Sequence, residues 1–352
     1  MATAAEELLG RLLPNDWHVI EKLPPAPKGS VGYFSVGYIV EQRATRRRGF
    51  LKALDYARIL AGHDPAAVML EQTRAFTFER DLLRVCKARR LDRVIEVIDE
   101  GSVIPEGRSP TEVVQYLIFE LADGDARRQS DEANRYDIAW GLRALHHVAT
   151  GLSQLHGQQI AHQDMKPRNV LTFGPALSKI GDLGRAASQG IAAPHDGSLI
   201  AGDHAYAPPE SLYGSPPTEW NARRLGCDQY LLGSLISSFF LGAAFTPLVQ
   251  ERLDPSHRRS AWRGDYAEVL PYLRRASDEV VAMLQTEIGP HLPDKLRTRL
   301  VTALSELCEP DYTRRGHPAD FGVSANQFSL RRYVTLFDLL AQQARAIKKM
   351  AA

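Results

Sequence analysis

The order of its periodicities predicts an α+β chain of two unlike lobes: a small antiparallel β lobe holding one helix, then a larger, mainly helical lobe. Three observations carry this. Strand-like runs separated by turns fill the first part, at residues 17–23, 33–42 and 49–55, and return at 93–101 and 113–121. A single helical pattern interrupts them from about Asp64 to Arg90, with Phe76, Glu79, Leu82 and Leu83 at helical spacings. Beyond Ala122 helical periodicity dominates, broken by a loop-rich stretch from about Ala161 to Pro217 that carries Gly, Pro, Asp and His.

The boundaries that follow are an N-terminal helical extension over 1–16, a β lobe over 17–121, a helical lobe over 122–322, and a C-terminal helix within 323–352. The extension is read as a short amphipathic helix because its acidic pair precedes the apolar run and no clear cleavage signal follows. The final segment places Leu330, Tyr333, Val334, Phe337, Leu340, Ala341 and Ala344 at helical spacings. It is expected to pack on its own lobe, with dimerisation or partner binding as the other role open to it. The basic turn at 43–48 reads as a solvated hairpin tip.

Composition narrows the function classes. In 352 residues, 43 Lys and Arg face 42 Asp and Glu, for a net charge of +1. Such a balance leaves no electrostatic footprint for nucleic acid or a membrane surface, so neither is expected as a partner. Cys86, Cys227 and Cys308 are odd in number with no CxxC pair, which argues against a disulfide framework or a structural zinc site and for a reducing, cytoplasmic setting. The most apolar stretch, residues 230–245, is shorter than the roughly 20 residues of a spanning helix and reads as a buried core helix.

The chemistry is concentrated in one motif. His162-Gln163-Asp164-Met165-Lys166-Pro167-Arg168-Asn169 is followed by Lys179-Ile180-Gly181-Asp182-Leu183-Gly184. Phosphoryl transfer needs a carboxylate to orient and deprotonate a hydroxyl, a cation for the moving phosphoryl group, and oxygen ligands for Mg2+. Asp164 supplies the first, Lys166 the second, and Asn169 with Asp182 the third.

At these residues the chain resembles the protein kinase superfamily: HQDMKPRN stands where that family has its HRD catalytic loop, and DLG where it has DFG. Other landmarks occur in family order. Residues 206–210 resemble the APE motif, Asp228 the aspartate that braces the catalytic loop, and Arg315 the arginine that pairs with the APE glutamate. The resemblance covers most of the chain and implies a kinase-like two-lobed fold with the active cleft between the lobes, near residues 120–125. It implies ATP and Mg2+ as cofactors and a protein substrate modified on serine or threonine, autophosphorylation included. It also makes Lys52 the anchor for the α- and β-phosphates, with Glu79 preferred over Glu71 as its partner, Phe119 the gatekeeper, and the Glu120 carbonyl and Ala122 amide the adenine contacts. The phosphate-covering loop is altered. Either Gly32 and Gly37 take the outer glycine positions, or Gly29 and Gly32 the last two, and neither choice gives G-x-G-x-x-G.

Further departures have implied consequences. Gln163 replaces the arginine that a phosphorylated activation loop pairs with, so the loop between Gly184 and Ala207 is expected to be ordered without phosphorylation, although Ser188 and Ser198 offer acceptors. Phe50 stands where a small residue usually faces adenine, and Asp203 where a threonine links the substrate loop to Asp164 and Lys166. Two other readings stay open: a small-molecule phosphotransferase, and a nucleotide-binding pseudokinase that signals without catalysis. The oligomeric state is left undetermined.

Overall fold

Alternation of apolar and polar side chains builds the first of two units, Met1–Asp123; the second is Gly124–Ala352. The computed structural model describes residues 2–25, 35–56, 65–110, 112–129, 136–322 and 327–351.

In the first unit β1 (Leu12–Leu13), β2 (Trp17–Lys22), β3 (Ser35–Gln42), β4 (Arg48–Leu54), β5 (Val97–Val103) and β6 (Val114–Glu120) form one antiparallel sheet in the order β1-β2-β3-β4-β6-β5. The sheet curls enough that the Trp17 indole of β2 donates to Asp99 of β5 at 2.9 Å, past three intervening strands. Its register sorts side chains by face. Val36, Tyr38, Val40, Leu51, Ala53, Tyr116 and Ile118 join Trp17 in the core. The pairs Gly37–Lys52, Ile39–Phe50 and Phe50–Phe119 fall on the other face.

The expected N-terminal helix is not formed. Its described residues hold two short 3-10 turns, Ala4–Glu7 and Pro14–Asp16, and between them the edge strand β1 joins the sheet. The physical reason lies in the backbone: Gly10 takes φ +77, and Pro14 is followed by Asn15 and Asp16 at φ 58 and 66, so no helix can run through them. Ala5, Leu8 and Leu13 instead cover the core face of the sheet, where the Tyr38 hydroxyl donates to the Ala5 carbonyl at 2.6 Å. The segment belongs to the β unit rather than extending it.

Helix α1 (Pro65–Ala88) buries Phe76, Glu79, Leu82, Leu83 and Cys86. It is pinned to β5 by Arg84 on Glu100 at 2.7 Å and by Lys87 on the Val97 carbonyl at 2.8 Å.

The second unit is built around two buried helices, α2 (Ile138–His156) and, after the short α3 (Pro209–Leu212), α4 (Gly226–Leu241). Among the described residues no single helix is long and apolar enough to cross a bilayer, and the apolar α4 is enclosed on nearly every side. Helices α5 (Phe245–Arg252), α6 (Tyr266–Glu287) and α7 (Asp294–Leu307) complete the bundle. The C-terminal α8 (Arg331–Ala351) buries Tyr333, Phe337, Leu340, Ala341 and Ala344 and lies along α2, where His146 Nδ1 meets the Val334 carbonyl at 3.0 Å.

One ion pair ties these parts together. Glu210 of α3 and Arg315, both essentially without solvent exposure, meet side-on through two bonds of 2.8 and 2.7 Å. The remaining guanidinium N–H groups reach the Glu309, Gly226 and Pro310 carbonyls. Removing one member leaves the other charge buried and unpaired. Arg315→Met is therefore expected to cost about 3–5 kcal/mol in urea unfolding followed by tryptophan fluorescence, and Arg315→Met with Glu210→Met to cost clearly less; equal losses in the two variants would mean that the pairing itself is not what holds these segments.

Candidate active site

The spacing of Asp164, Asn169 and Asp182 has a simple local cause. Strands β7 (Val170–Phe173) and β8 (Leu177–Ile180) form a tight hairpin that pairs Val170 with Ile180. The residues just outside each strand are thereby adjacent, and the Gly181 amide donates to the Asn169 carbonyl at 2.9 Å. Asn169 ends a 3-10 turn that starts at Pro167, and its amide nitrogen donates to the Asp164 carbonyl at 2.7 Å. Only the amide nitrogen can donate to a carbonyl, so the Asn169 side-chain oxygen points the other way. Asp182 sits at φ 62, ψ 75, a left-handed conformation that turns the chain into the Leu183–Arg185 turn. Its Oδ1 is buried and has no hydrogen-bond partner among the described residues. A buried carboxylate oxygen left open in this way suits a hard cation.

Asp164 itself is about 1 % exposed. Its Oδ1 accepts from Lys166 Nζ at 3.0 Å and from the Asp203 amide at 2.9 Å. Burial pushes its pKa up from the usual carboxylate value, Lys166 opposes that, and the nearby Asp182 charge reinforces it. Asp203 lies 3.5 Å from Lys166 through Oδ2, so the ammonium stands between two carboxylates.

The loop carrying Asp164 is held from beneath. Asp228, with no solvent exposure, accepts from the His162 and Gln163 amides at 2.8 Å each and from His156 Nε2 at 2.9 Å. The His162 ring bridges the loop to the next strand: Nε2 donates to the Gly181 carbonyl at 2.9 Å while Nδ1 accepts the Asp164 amide at 3.3 Å, which fixes the tautomer.

The first unit carries a separate set. Lys52 Nζ donates to both Glu79 oxygens at 3.1 and 2.8 Å, and the Glu79 carboxylate is almost fully buried. Glu71 is exposed on the same helix. Glu120 closes the end of β6, where its side chain accepts the Glu96 amide at 2.8 Å and its own amide donates to the Glu96 carbonyl. Ala122 follows beyond the strand. Gly37 lies within β3 opposite Lys52, and a Cβ there would stand 3.1 Å from the Phe50 ring. Phe50 in turn faces Phe119, with ring centroids 6.1 Å apart. Gly29 and Gly32 lie outside the described residues.

A family model described as the protein kinase domain matches residues 31–290. The chain belongs to the protein kinase family. Among curated proteins this kinase is 30% identical over 129 residues to the Aurora/IPL1-related protein kinase 2 of Caenorhabditis briggsae, which covers 36% of this chain and 39% of that protein. It is 26% identical over 204 residues to the calcium/calmodulin-dependent protein kinase kinase of Caenorhabditis elegans, covering 57% of this chain and 35% of the relative. To the serine/threonine-protein kinase crk1 of Schizosaccharomyces pombe it is 24% identical over 217 residues, 61% of this chain and 57% of the relative. The kinase thus matches only part of each relative's length.

Three contributors to the kinase site lay outside the sequence reading. His156 binds Asp228 from the end of α2; Arg224 enters the same network, four residues before Asp228 and so one helical turn away. Gly202 is the third. A Cβ on it would run into the Gln163 carbonyl and stand 2.7 Å from Asp164 Oδ1. Gly202→Ala must therefore shift the catalytic loop or the loop that carries Asp203. A fall in phosphotransfer kcat of roughly a hundredfold is expected, as for an ångström-scale misplacement of a reacting group, together with a lower unfolding midpoint because the clash is with backbone; a kcat within twofold of wild type would show that the two loops give way freely.

Proposed function

We propose that this kinase transfers the γ-phosphoryl group of ATP to serine or threonine hydroxyls of a protein, with Mg2+ as cofactor and its own chain among the substrates. The observation that carries the reading is the set around Asp164: a buried carboxylate aimed by Lys166 and the Asp203 amide, beside Asn169 and a partnerless Asp182 oxygen. Among the described residues no group of three or more His, Cys, Asp or Glu side chains converges on a metal position. Asp182 Oδ1 and the Asn169 amide oxygen would therefore hold the ion together with phosphate oxygens, a sharing that suits Mg2+. When bound, Mg2+ neutralises charge on the phosphates and on the leaving group.

The protein's own groups do the rest. Asp164 orients the acceptor hydroxyl and takes its proton. Lys166 offsets charge on the moving phosphoryl group and opposes the upward shift that burial gives Asp164. Lys52, held by Glu79, meets the α- and β-phosphates. The Glu120 carbonyl and the Ala122 amide serve adenine, and Gly37 with Gly29 and Gly32 the phosphate cover. Phe50, over Gly37, narrows the space on that face of the sheet. Catalysis is then mostly positioning and electrostatic stabilisation. The lysine two residues after the base and the relative named as a serine/threonine-protein kinase favour a serine or threonine acceptor.

The test is label transfer from γ-labelled ATP with Mg2+ to the protein and to a generic protein substrate. Phosphoserine or phosphothreonine that disappears in Asp164→Ala and in Asp182→Ala is expected. Nucleotide binding without transfer would favour a small-molecule acceptor or a pseudokinase instead.

The pH dependence has a definite sign. Asp164 must be ionised to accept a proton, so activity falls as pH drops through its pKa, which burial raises. The acid limb of kcat/KM should stand above the ordinary aspartate range. In Lys166→Ala, which removes the opposing cation, the limb of the residual rate should move to higher pH still.

A further inference from the structure

The activation segment between Gly184 and Ala207 is tied to the catalytic loop through charge already present in the chain. Asp196 accepts from Arg224 Nη2 at 2.7 Å through Oδ1. Its Oδ2 accepts the Ala193 amide at 2.7 Å, which closes the turn that carries it. Arg224 is buried, and its Nη1 donates to the Gln163 side-chain oxygen at 3.3 Å. Gln163 returns the bond, with Nε2 on the Arg224 carbonyl at 2.8 Å and on Asp228 at 3.3 Å. The Asp196–Arg224–Gln163 chain therefore ends one residue before Asp164.

Two further features single out this chain of contacts. Residues Asn221–Leu225 form a π turn ahead of α4, and the wider turn lets neighbouring Arg223 and Arg224 reach the same loop. Arg223 donates to the Asp196 and Ser198 carbonyls at 3.2 and 3.1 Å. Gln163 is held at φ 66, a left-handed conformation costly for a residue with a side chain, so something must over-determine it. Its side chain is clamped at both ends by Arg224 and Asp228. Burial, with Arg223 alongside, pulls the Arg224 pKa below its ordinary value and Asp196 opposes this, as a counter-ion to a buried cation does.

We infer that Asp196 and Arg224 are positioning residues for Asp164: the Asp196 carboxylate supplies the fixed negative charge that orders the activation segment, and Arg224 with Gln163 passes that order to the catalytic loop. No added phosphate is needed for the segment to be held. The inference rests on the phosphotransfer reading for its kinetic arm only.

The experiment compares wild type with Asp196→Asn, Asp196→Glu and the Ser188→Ala/Ser198→Ala variant, each after phosphatase treatment. Amide hydrogen exchange over residues 160–170 without nucleotide is measured in parallel. Asp196→Asn should lower kcat by roughly ten- to a hundredfold with KM for ATP unchanged, as for a displaced reacting group, and speed exchange in 160–170. Asp196→Glu should recover most of both. The serine variant and the phosphatase-treated wild type should keep full rate. Faster exchange in Asp196→Asn with no transfer by wild type would uphold the anchor and defeat the kinase reading. Unchanged exchange and unchanged kcat in Asp196→Asn, or activity lost on phosphatase treatment, would overturn the inference.

Discussion

The loop that carries Asp164 hangs on one buried carboxylate. Asp228 has no access to water, so its charge is tolerable only if the protein supplies the hydrogen bonds that water would. It receives them from two consecutive backbone amides, His162 and Gln163, from the Gln163 side chain and from the His156 ring. Two successive amides can face one carboxylate only if the chain turns between them, and the positive φ of Gln163 turns it again directly before Asp164. The cost of the left-handed backbone and of the buried charge is thus met by a single set of contacts. Once the turn is made, the direction of Asp164 follows, and the Asn169 amide bonded to its carbonyl holds the next stretch in place.

The same logic at a larger scale explains why Glu210 and Arg315 are buried together. A salt bridge in the interior is not an economical way to gain stability, since two well-packed apolar side chains do as well or better. It is, however, highly directional. The bidentate geometry and the three carbonyls around Arg315 admit one arrangement of α3, the start of α4 and the segment after α7. What the pair contributes is definition of the fold around the site rather than surplus free energy.

Much of this was legible in the sequence, and the limits are instructive. Strand alternation and helical spacing carry the α+β order, because burying one face of an element imposes its period on the side chains. The D-x-K-x-x-N motif and the later D-x-G are readable because a hairpin of fixed length separates them. The Lys52–Glu79 contact was implied by the family resemblance, and the cost of leaving a buried ammonium unpaired agrees with it. The N-terminal segment was misread because EELLGRLL has a helical look over a few residues, while Gly10, Pro14 and the left-handed Asn15 and Asp16 decide the outcome. Gly202 and Arg224 gave no signal of their own. A glycine needed for close approach looks like any loop glycine, and an arginine whose partner lies 28 residues away looks like any surface charge.

The β unit separates its core from the predicted site residues by the simplest means a sheet offers. Side chains that alternate along β3, β4 and β6 send Tyr38, Leu51 and Ile118 to the core, where the N-terminal segment covers them, and send Gly37, Phe50, Lys52 and Phe119 to the opposite face. A one-residue slip in any of these strands would carry Lys52 and Phe119 into the core and core residues to the opposite face, so the register has to be held strongly. Trp17 and its bond to Asp99, the Tyr38 hydroxyl on the Ala5 carbonyl, and the β1 edge all act on the core face and fix that register from behind. The first residues of the chain bear none of the predicted site residues, yet by packing against the core face they help decide which side of the sheet Lys52 occupies.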